Sequence, residues 1–208
     1  MSQIFDISPP ITPELAVWPG DSPPRREVLL DTARGDGVTL STLHATVHLG
    51  AHADGPCHLD AHSPDIDARP LEDFLGPCQV IRVDVPPGTR IEPAHLDVPI
   101  TETRVLLCTS TYPDPTRFQT DFAALSPGLV DHLHDRGVRL IGIDTPSVDL
   151  FESQDLPAHR RCLVHDMAIL EGLVLSHVPP GRYELVALPL RLIGFDASPV
   201  RAILRTLP

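Results

Sequence analysis

The stretch "SPGLVDHLHDRGVRLIGID", Ser126 to Asp144, decides the fold class. Ser126 can accept a backbone N–H as an N-cap, Pro127 occupies the first helical position where its missing N–H costs nothing, and Gly137 supplies the stop. The spacing therefore predicts a helix over "SPGLVDHLHDRG", followed by a strand over "VRLIGID". Upstream, "RVLLCTS" (Arg104–Ser110) reads as another buried strand, so the three segments form a β-α-β unit. Further strands are expected at "QIFDIS", at "EVLLD" and "VTLSTLHATVH" as a hairpin around "TARGDG", and at "QVIRVDV" and "RYELVALPLRL". Pro189 places the last of these at an edge or a bulge. "PLEDFLG" reads as a single helical turn closed by Gly76. Residues 159–168 are expected to form a helix followed by a strand over "ILEGLVL", and "SPVRAILR" a closing helix capped by Ser198 and Pro199. The expected class is α/β, one domain spanning 1–208, with a mixed, strand-rich sheet and few short helices.

A chain of 208 residues can bury a core without disulfides or a structural metal. Lys+Arg 16 against Asp+Glu 28 gives a net charge of −12 without any basic run, which argues against nucleic acid or an anionic membrane as partner and for a small molecule. No apolar run approaches membrane-spanning length, and "MSQIFDISPPIT" has neither the cationic end nor the long apolar block of a secretory leader. A cytoplasmic location is expected. Cys57, Cys78, Cys108 and Cys162 are widely spaced with no CxxC pair, as suits reduced thiols. The 24 prolines are scattered between apolar runs and read as turns between short strands.

The chemistry concentrates in "VHLGAHADGPCHLD", Val47 to Asp60. His48, His52, Asp54 and His58 all fall on even positions, and in an extended chain residues of one parity share a face. A straight strand would nonetheless hold His48 and His52 roughly 13 Å apart, at about 3.3 Å per residue. That is too far for a shared ion with bonds of roughly 2 Å. The segment must bend, and Gly50, able to take φ > 0, is where it is expected to curl after a strand that delivers His48. Imidazole and carboxylate beside bend-forming Gly and Pro are what a hard-to-borderline divalent ion needs. His44 and His62 flank the cluster as candidates for its outer surroundings, whereas His95, His132, His134 and His177 have no ligand type near them at a useful spacing. No G-x-S-x-G stretch exists, which argues against a serine hydrolase.

The spacing H-x-G-x-H-x-D-x-P-x-H resembles the signature of the metal-dependent cyclase-like hydrolases. "GIDTPSVD", "LPAH", "ILEGLVL", "YELVALPL" and "DASPVRAILR" resemble further segments of one of its families, the bacterial kynurenine formamidases (arylformamidases). Ala51 departs from the Thr that many members carry, at a position that is not a ligand. The resemblance implies a swivelling β/β/α fold, usually oligomeric, here expected as a homodimer. It also implies two divalent ions, with Zn²⁺ suited best and Mn²⁺ possible given two carboxylates. His48, His52 and Asp54 would hold one ion, and Asp54 would bridge to a second that also takes His159. Glu171 would join both, His58 would be the acid/base, and Trp18 in "VWPGD" would contact the substrate. The implied reaction is hydrolysis of N-formyl-L-kynurenine to L-kynurenine and formate. Two alternatives are a sister hydrolase opening a cyclic amide such as isatin, and a metal-binding protein without catalysis. The resemblance alone selects His159 and Glu171. For Glu171 the residues add one argument, that a lone acid within "AILEGLVL" needs a partner.

Overall fold

The computed structural model describes residues 2–207. In chain order the strands and helices are β1 (Ile4–Asp6), β2 (Arg25–Leu30), β3 (Leu40–His44), β4 (His52–Asp54), β5 (Leu75–Arg82), β6 (Arg90–Ile91), β7 (Arg104–Cys108), β8 (Ala124–Leu125), α1 (Pro127–His134), β9 (Leu140–Ile143), α2 (Pro157–Val164), β10 (Ala168–Glu171), β11 (Gly181–Val186), β12 (Ala197–Pro199) and β13 (Ile203–Thr206). Nine of the strands make one sheet in the order β1-β13-β11-β5-β7-β9-β10-β4-β12. Its centre, β5-β7-β9-β10, is parallel, and the wings on both sides are antiparallel. The fold is the expected α/β arrangement of a large mixed sheet with few helices, and the unit β7-α1-β9 that predicts it is present, with Ser126 Oγ accepting the Leu129 N–H at 3.0 Å.

The central strands are buried on both faces, as parallel strands under cover must be. Odd and even residues divide between two cores. Val105, Leu107, Ile141, Ile143 and Ile169 pack under the helices with Leu129, Leu133, Ala158 and Cys162. Leu106, Leu140 and Leu170 meet Ala53, Leu185 and Leu204 from the wings, which requires the sheet to curl around them. Gly142 allows this close packing, since a Cβ there would lie 2.4 Å from Leu106 Cδ2. All four cysteines are free thiols. Among the described residues, no helix is long and apolar enough to cross a membrane.

Several boundaries differ from expectation. "SPVRAILR" is not a helix: it contributes to β12 and β13, with Ser198, Val200, Ala202 and Leu204 buried at a period of two. The Ser-Pro pair that mimics a helix start is in the edge strand against β4, where Pro199 is tolerated. α2 begins at Pro157, two residues before the expected start, because "LP" places Pro at the first helical position. β10 stops at Glu171, where Gly172 turns with φ +65°, so "LVL" is outside the strand. β11 likewise ends at Val186, short of Pro189. The turn in "PLEDFLG" covers only Leu71–Asp73, and Gly76 belongs to β5. β3 ends at His44, so His48 is carried by a loop and not by the second hairpin strand.

Candidate metal centre

The chain does curl at Gly50, whose φ is +56°, and the rings of His48 and His52 come to 5.0 Å between centroids. A second glycine makes the bend possible. A Cβ on Gly172 would lie 2.2 Å from the Gly50 carbonyl oxygen, the same oxygen that accepts the His52 Nδ1–H at 2.8 Å. β4 then carries His52 and Asp54 on one face, opposite Ala53, and the antiparallel register sets Glu171 across from His52. His159 comes from the first turn of α2, on the helix side of the sheet.

Two groups of inward-facing atoms result. Asp54 Oδ1 lies 3.3 Å from His48 Nδ1 and 3.6 Å from His52 Nε2, and His52 Nε2 lies 3.3 Å from Glu171 Oε2. The other carboxylate oxygens face His159: its Nε2 is 3.5 Å from Asp54 Oδ2 and 3.3 Å from Glu171 Oε1. Most of these separations are long for hydrogen bonds. Donor atoms on a tetrahedral ion with bonds of about 2.0–2.2 Å would be about 3.3–3.6 Å apart, which the observed spacing matches. His52 Nε2 and both Asp54 oxygens are buried without any hydrogen-bond partner. Three converging orphan atoms are what a cation site presents, so the residues fit a divalent ion.

Each imidazole is fixed from behind, as metal-binding histidines require. His48 Nε2 is 2.9 Å from Asp196 Oδ2, His52 Nδ1 donates to Gly50, and His159 Nδ1 is 2.9 Å from Asp149 Oδ2. Asp149 also accepts the Ala158 and His159 backbone N–H groups that open α2, at 3.1 Å and 3.0 Å, and it pairs with Arg90 at 2.8 Å. It therefore caps the helix that carries His159 and orients the ring. The sequence reading missed Asp149 and Asp196. The "DTPSVD" and "DASP" segments contain them: Asp149 meets His159 ten residues on, across the loop that opens α2, and Asp196 reaches His48 only through the fold, 148 residues away in sequence.

Burial alone would push His48 toward its neutral form, but Asp54 and Asp196 raise its pKa to about 9. His159 is raised too, against burial, by Asp149, Asp54 and Glu171. Burial opposes ionisation of Asp54, yet His159 and His48 hold its carboxyl well below the usual range. Glu171 is lowered against both burial and the Asp54 charge by His159 and His52. Two buried carboxylates thus stay ionised and demand positive charge, which protons on the imidazoles or a divalent cation can supply.

His58 ends a single turn, Pro56–His58, that follows β4. Its ring is 4.5 Å from that of His48 and 6.1 Å from that of His159, and its Nδ1 is 3.4 Å from Asp196 Oδ2. Trp18 is on the wall of a cavity of about 670 Å³ that opens onto the centre, packed against Phe118 at 5.4 Å and Phe151 at 5.1 Å. Ser147 also lines it. His44 is not brought to the centre: it pairs with Glu27 at 2.7 Å in the hairpin. His62 and the remaining histidines are not among the grouped ligand atoms either.

A family model, Cyclase ("Putative cyclase"), matches residues 5–150, which include the whole histidine loop. The chain belongs to the Cyclase family. Among solved structures, a "potential metal-dependent hydrolase with cyclase activity" is similar to this Cyclase-family chain over 100% of both chains, at 29% identity and a TM-score of 0.85. A "predicted metal-dependent hydrolase" from Bacillus stearothermophilus is similar over 99% of this chain and 98% of its own, at 29% identity and a TM-score of 0.82. Isatin hydrolase A from Labrenzia aggregata shares the fold, at 21% identity and a TM-score of 0.79, over 100% of this chain and 94% of its own.

Proposed function

We propose that the chain is a metal-dependent amidohydrolase that cleaves N-formyl-L-kynurenine to L-kynurenine and formate. The observation that carries this reading is the pair of carboxylates, Asp54 and Glu171, each turning one oxygen to His52 or His48 and the other to His159. His48, His52, Asp54 and Glu171 would hold one divalent ion, and His159, Asp54 and Glu171 a second, with Zn²⁺ favoured by the nitrogen-rich set and Mn²⁺ the alternative. Bound there, the ions would supply a nucleophilic water at neutral pH and neutralise the developing oxyanion. His58 acts beside them. With Nδ1 turned to Asp196, its Nε2 takes the proton of the attacking water and returns it to the departing nitrogen. That nitrogen is an aniline, a better leaving group than an alkyl amine, so a modest acid suffices. Trp18, with Phe118 and Phe151 beside it on the same cavity wall, offers an apolar surface for the substrate ring and keeps water from that side.

A ring-opening hydrolase for a cyclic amide such as isatin is the second reading, supported by the shared fold of the isatin hydrolase. The discriminating measurement is kcat/KM for N-formylkynurenine and isatin side by side, on protein stripped by a chelator and then reloaded with Zn²⁺ or Mn²⁺. Turnover should vanish on stripping, return on reloading, and strongly favour N-formylkynurenine. Equal or faster isatin opening would establish the second reading, and full metal loading without turnover of either would leave a metal-binding protein.

We also propose one domain over 1–208, supported by a core that draws residues from Ile7 to Leu204 into one cluster, and a homodimer. The hairpin of β2 and β3 exposes Leu29, Leu30, Leu40 and Leu43, a surface that a second copy would cover. Light scattering should give twice the chain mass, and a persistent monomer would refute the dimer.

A further inference from the structure

One turn brings an uncommitted charge to the rim of the cavity. In "WPGD", Trp18 to Asp21, Pro19 takes the second position of a β-turn and Gly20 supplies the positive φ, +95°, at the third. The Asp21 N–H closes the turn on the Trp18 carbonyl at 2.9 Å. The first and fourth Cα atoms of a β-turn lie within about 7 Å of each other, so Asp21 and Trp18 are neighbours. Both are exposed and both line the cavity, which places the pair at its mouth.

The Asp21 carboxylate has little to satisfy it there. Its Oδ1 accepts the Ser22 N–H at 2.8 Å, and it makes no ion pair among the described residues. Asp144, a second carboxylate of the wall, is nearly buried and already engaged. It accepts the Thr109 and Ser110 backbone N–H groups at 2.9 Å and 2.8 Å and the Thr109 hydroxyl at 2.7 Å. No lysine or arginine offsets these charges: the sequence contains no lysine, and among the described residues no arginine lines the cavity. Arg90 reaches Ser153 at 3.2 Å but is paired with Asp149, and Arg82 meets Ser110 at 3.5 Å from outside the lining.

We propose that Asp21 is a specificity-determining residue, pairing with an ammonium group on the side chain of the substrate and leaving a carboxylate there without a partner. The proposal rests on the formamidase reading and changes the substrate class. Aryl formamides with a cationic side chain are preferred, amines that lack any carboxylate included, and anionic aryl formamides are disfavoured. The selection needs no reach across the sheet from the metal centre. A ring against Trp18 already lies beside Asp21, and the charge at the mouth also acts on every substrate during entry, over a Debye length of about 8 Å at physiological ionic strength.

The test uses three aryl ketones that share one ortho formamide and differ in side-chain charge, with metal-loaded protein. They are N-formylkynuramine, an ammonium; 2-formamidopropiophenone, neutral; and 4-(2-formamidophenyl)-4-oxobutanoate, an anion. In the wild type kcat/KM should fall in that order, and added salt should narrow the span. In Asp21→Asn the ratio of the ammonium to the carboxylate substrate should drop about 3- to 30-fold, through KM, as loss of one exposed attraction and one repulsion allows. Asp21→Glu should recover part of it, whereas a merely structural disturbance would move all three substrates together. Wild-type protein that treats the two charged substrates alike or prefers the carboxylate, or a ratio that Asp21→Asn leaves in place, would overturn the assignment. Calorimetric binding of the deformylated pair, kynuramine and 4-(2-aminophenyl)-4-oxobutanoate, separates it from the parent reading. If no formamide is hydrolysed the formamidase reading fails, while tighter binding of kynuramine that Asp21→Asn removes still upholds the role of Asp21. Equal binding of the two, or none, sinks it.

Discussion

His58→Ala is expected to retain its metal and its fold while losing about 10²- to 10⁴-fold in turnover, the usual loss for a general acid/base. The argument is one of position. The inward atoms of His48, His52, Asp54, His159 and Glu171 form two groups at 3.3–3.6 Å spacing without any contribution from His58. His58 instead hangs from a short turn, its side chain 31% exposed, and shares Asp196 with His48. A ring tethered at Nδ1 and free at Nε2 can shuttle a proton without a change of place. The deficit should grow along a substituted formanilide series as the leaving amine becomes more basic, because a poorer leaving group depends more on the proton delivered to it. Metal analysis beside kcat for that series decides the matter. His58 can also group with Asp54 and His159 within ion-binding range, so a variant that drops an ion with its activity would make His58 a ligand. A variant with near-normal kcat would leave the proton step unassigned.

Glu171→Ala should lose more metal per chain than His159→Ala. Glu171 faces His52 with Oε2 and His159 with Oε1, so its removal opens both groups, whereas His159 belongs to one. The glutamate also accepts the buried Val148 N–H at 2.7 Å. Truncation leaves that donor orphaned at a cost of about 1–3 kcal/mol, so a modest drop in melting temperature should accompany the loss. Metal content after dialysis should be near zero for Glu171→Ala and near one ion for His159→Ala. Two ions retained by both variants would refute the second site.

Much of this was legible where the signals were local. The cap, proline and glycine of "SPGLVDHLHDRG" lie within one helix, and the strand that follows needs no distant partner to be recognised. Gly50 could be identified as a bend because ligand spacing in a straight chain is a matter of arithmetic. The end of the chain misled for the opposite reason. Ser198 and Pro199 carry a local helix-start signal, but the period of two in Val200, Ala202 and Leu204 reflects a core assembled from the far wing of the sheet. Glu171 opposite His52 depends on the register of β10 against β4, and no spacing along the chain encodes that. Asp149 and Asp196 were invisible as orienting groups because each acts on a ring at a distance in sequence, His159 and His48.

The place of β4 in the sheet bears on how the protein comes into being. It pairs with β10 on one side and β12 on the other, so the loop bearing His48 and His52 acquires its walls only after residues 168–199 have arrived. Pairings of such long sequence separation form late and slowly. A nascent chain that has exposed its first histidines has no nest for an ion until residues 168–199 have left the ribosome. Any ion would therefore be held only once β12 is in place, and a chain stalled before β12 would present those imidazoles to solvent as an open, unselective chelator.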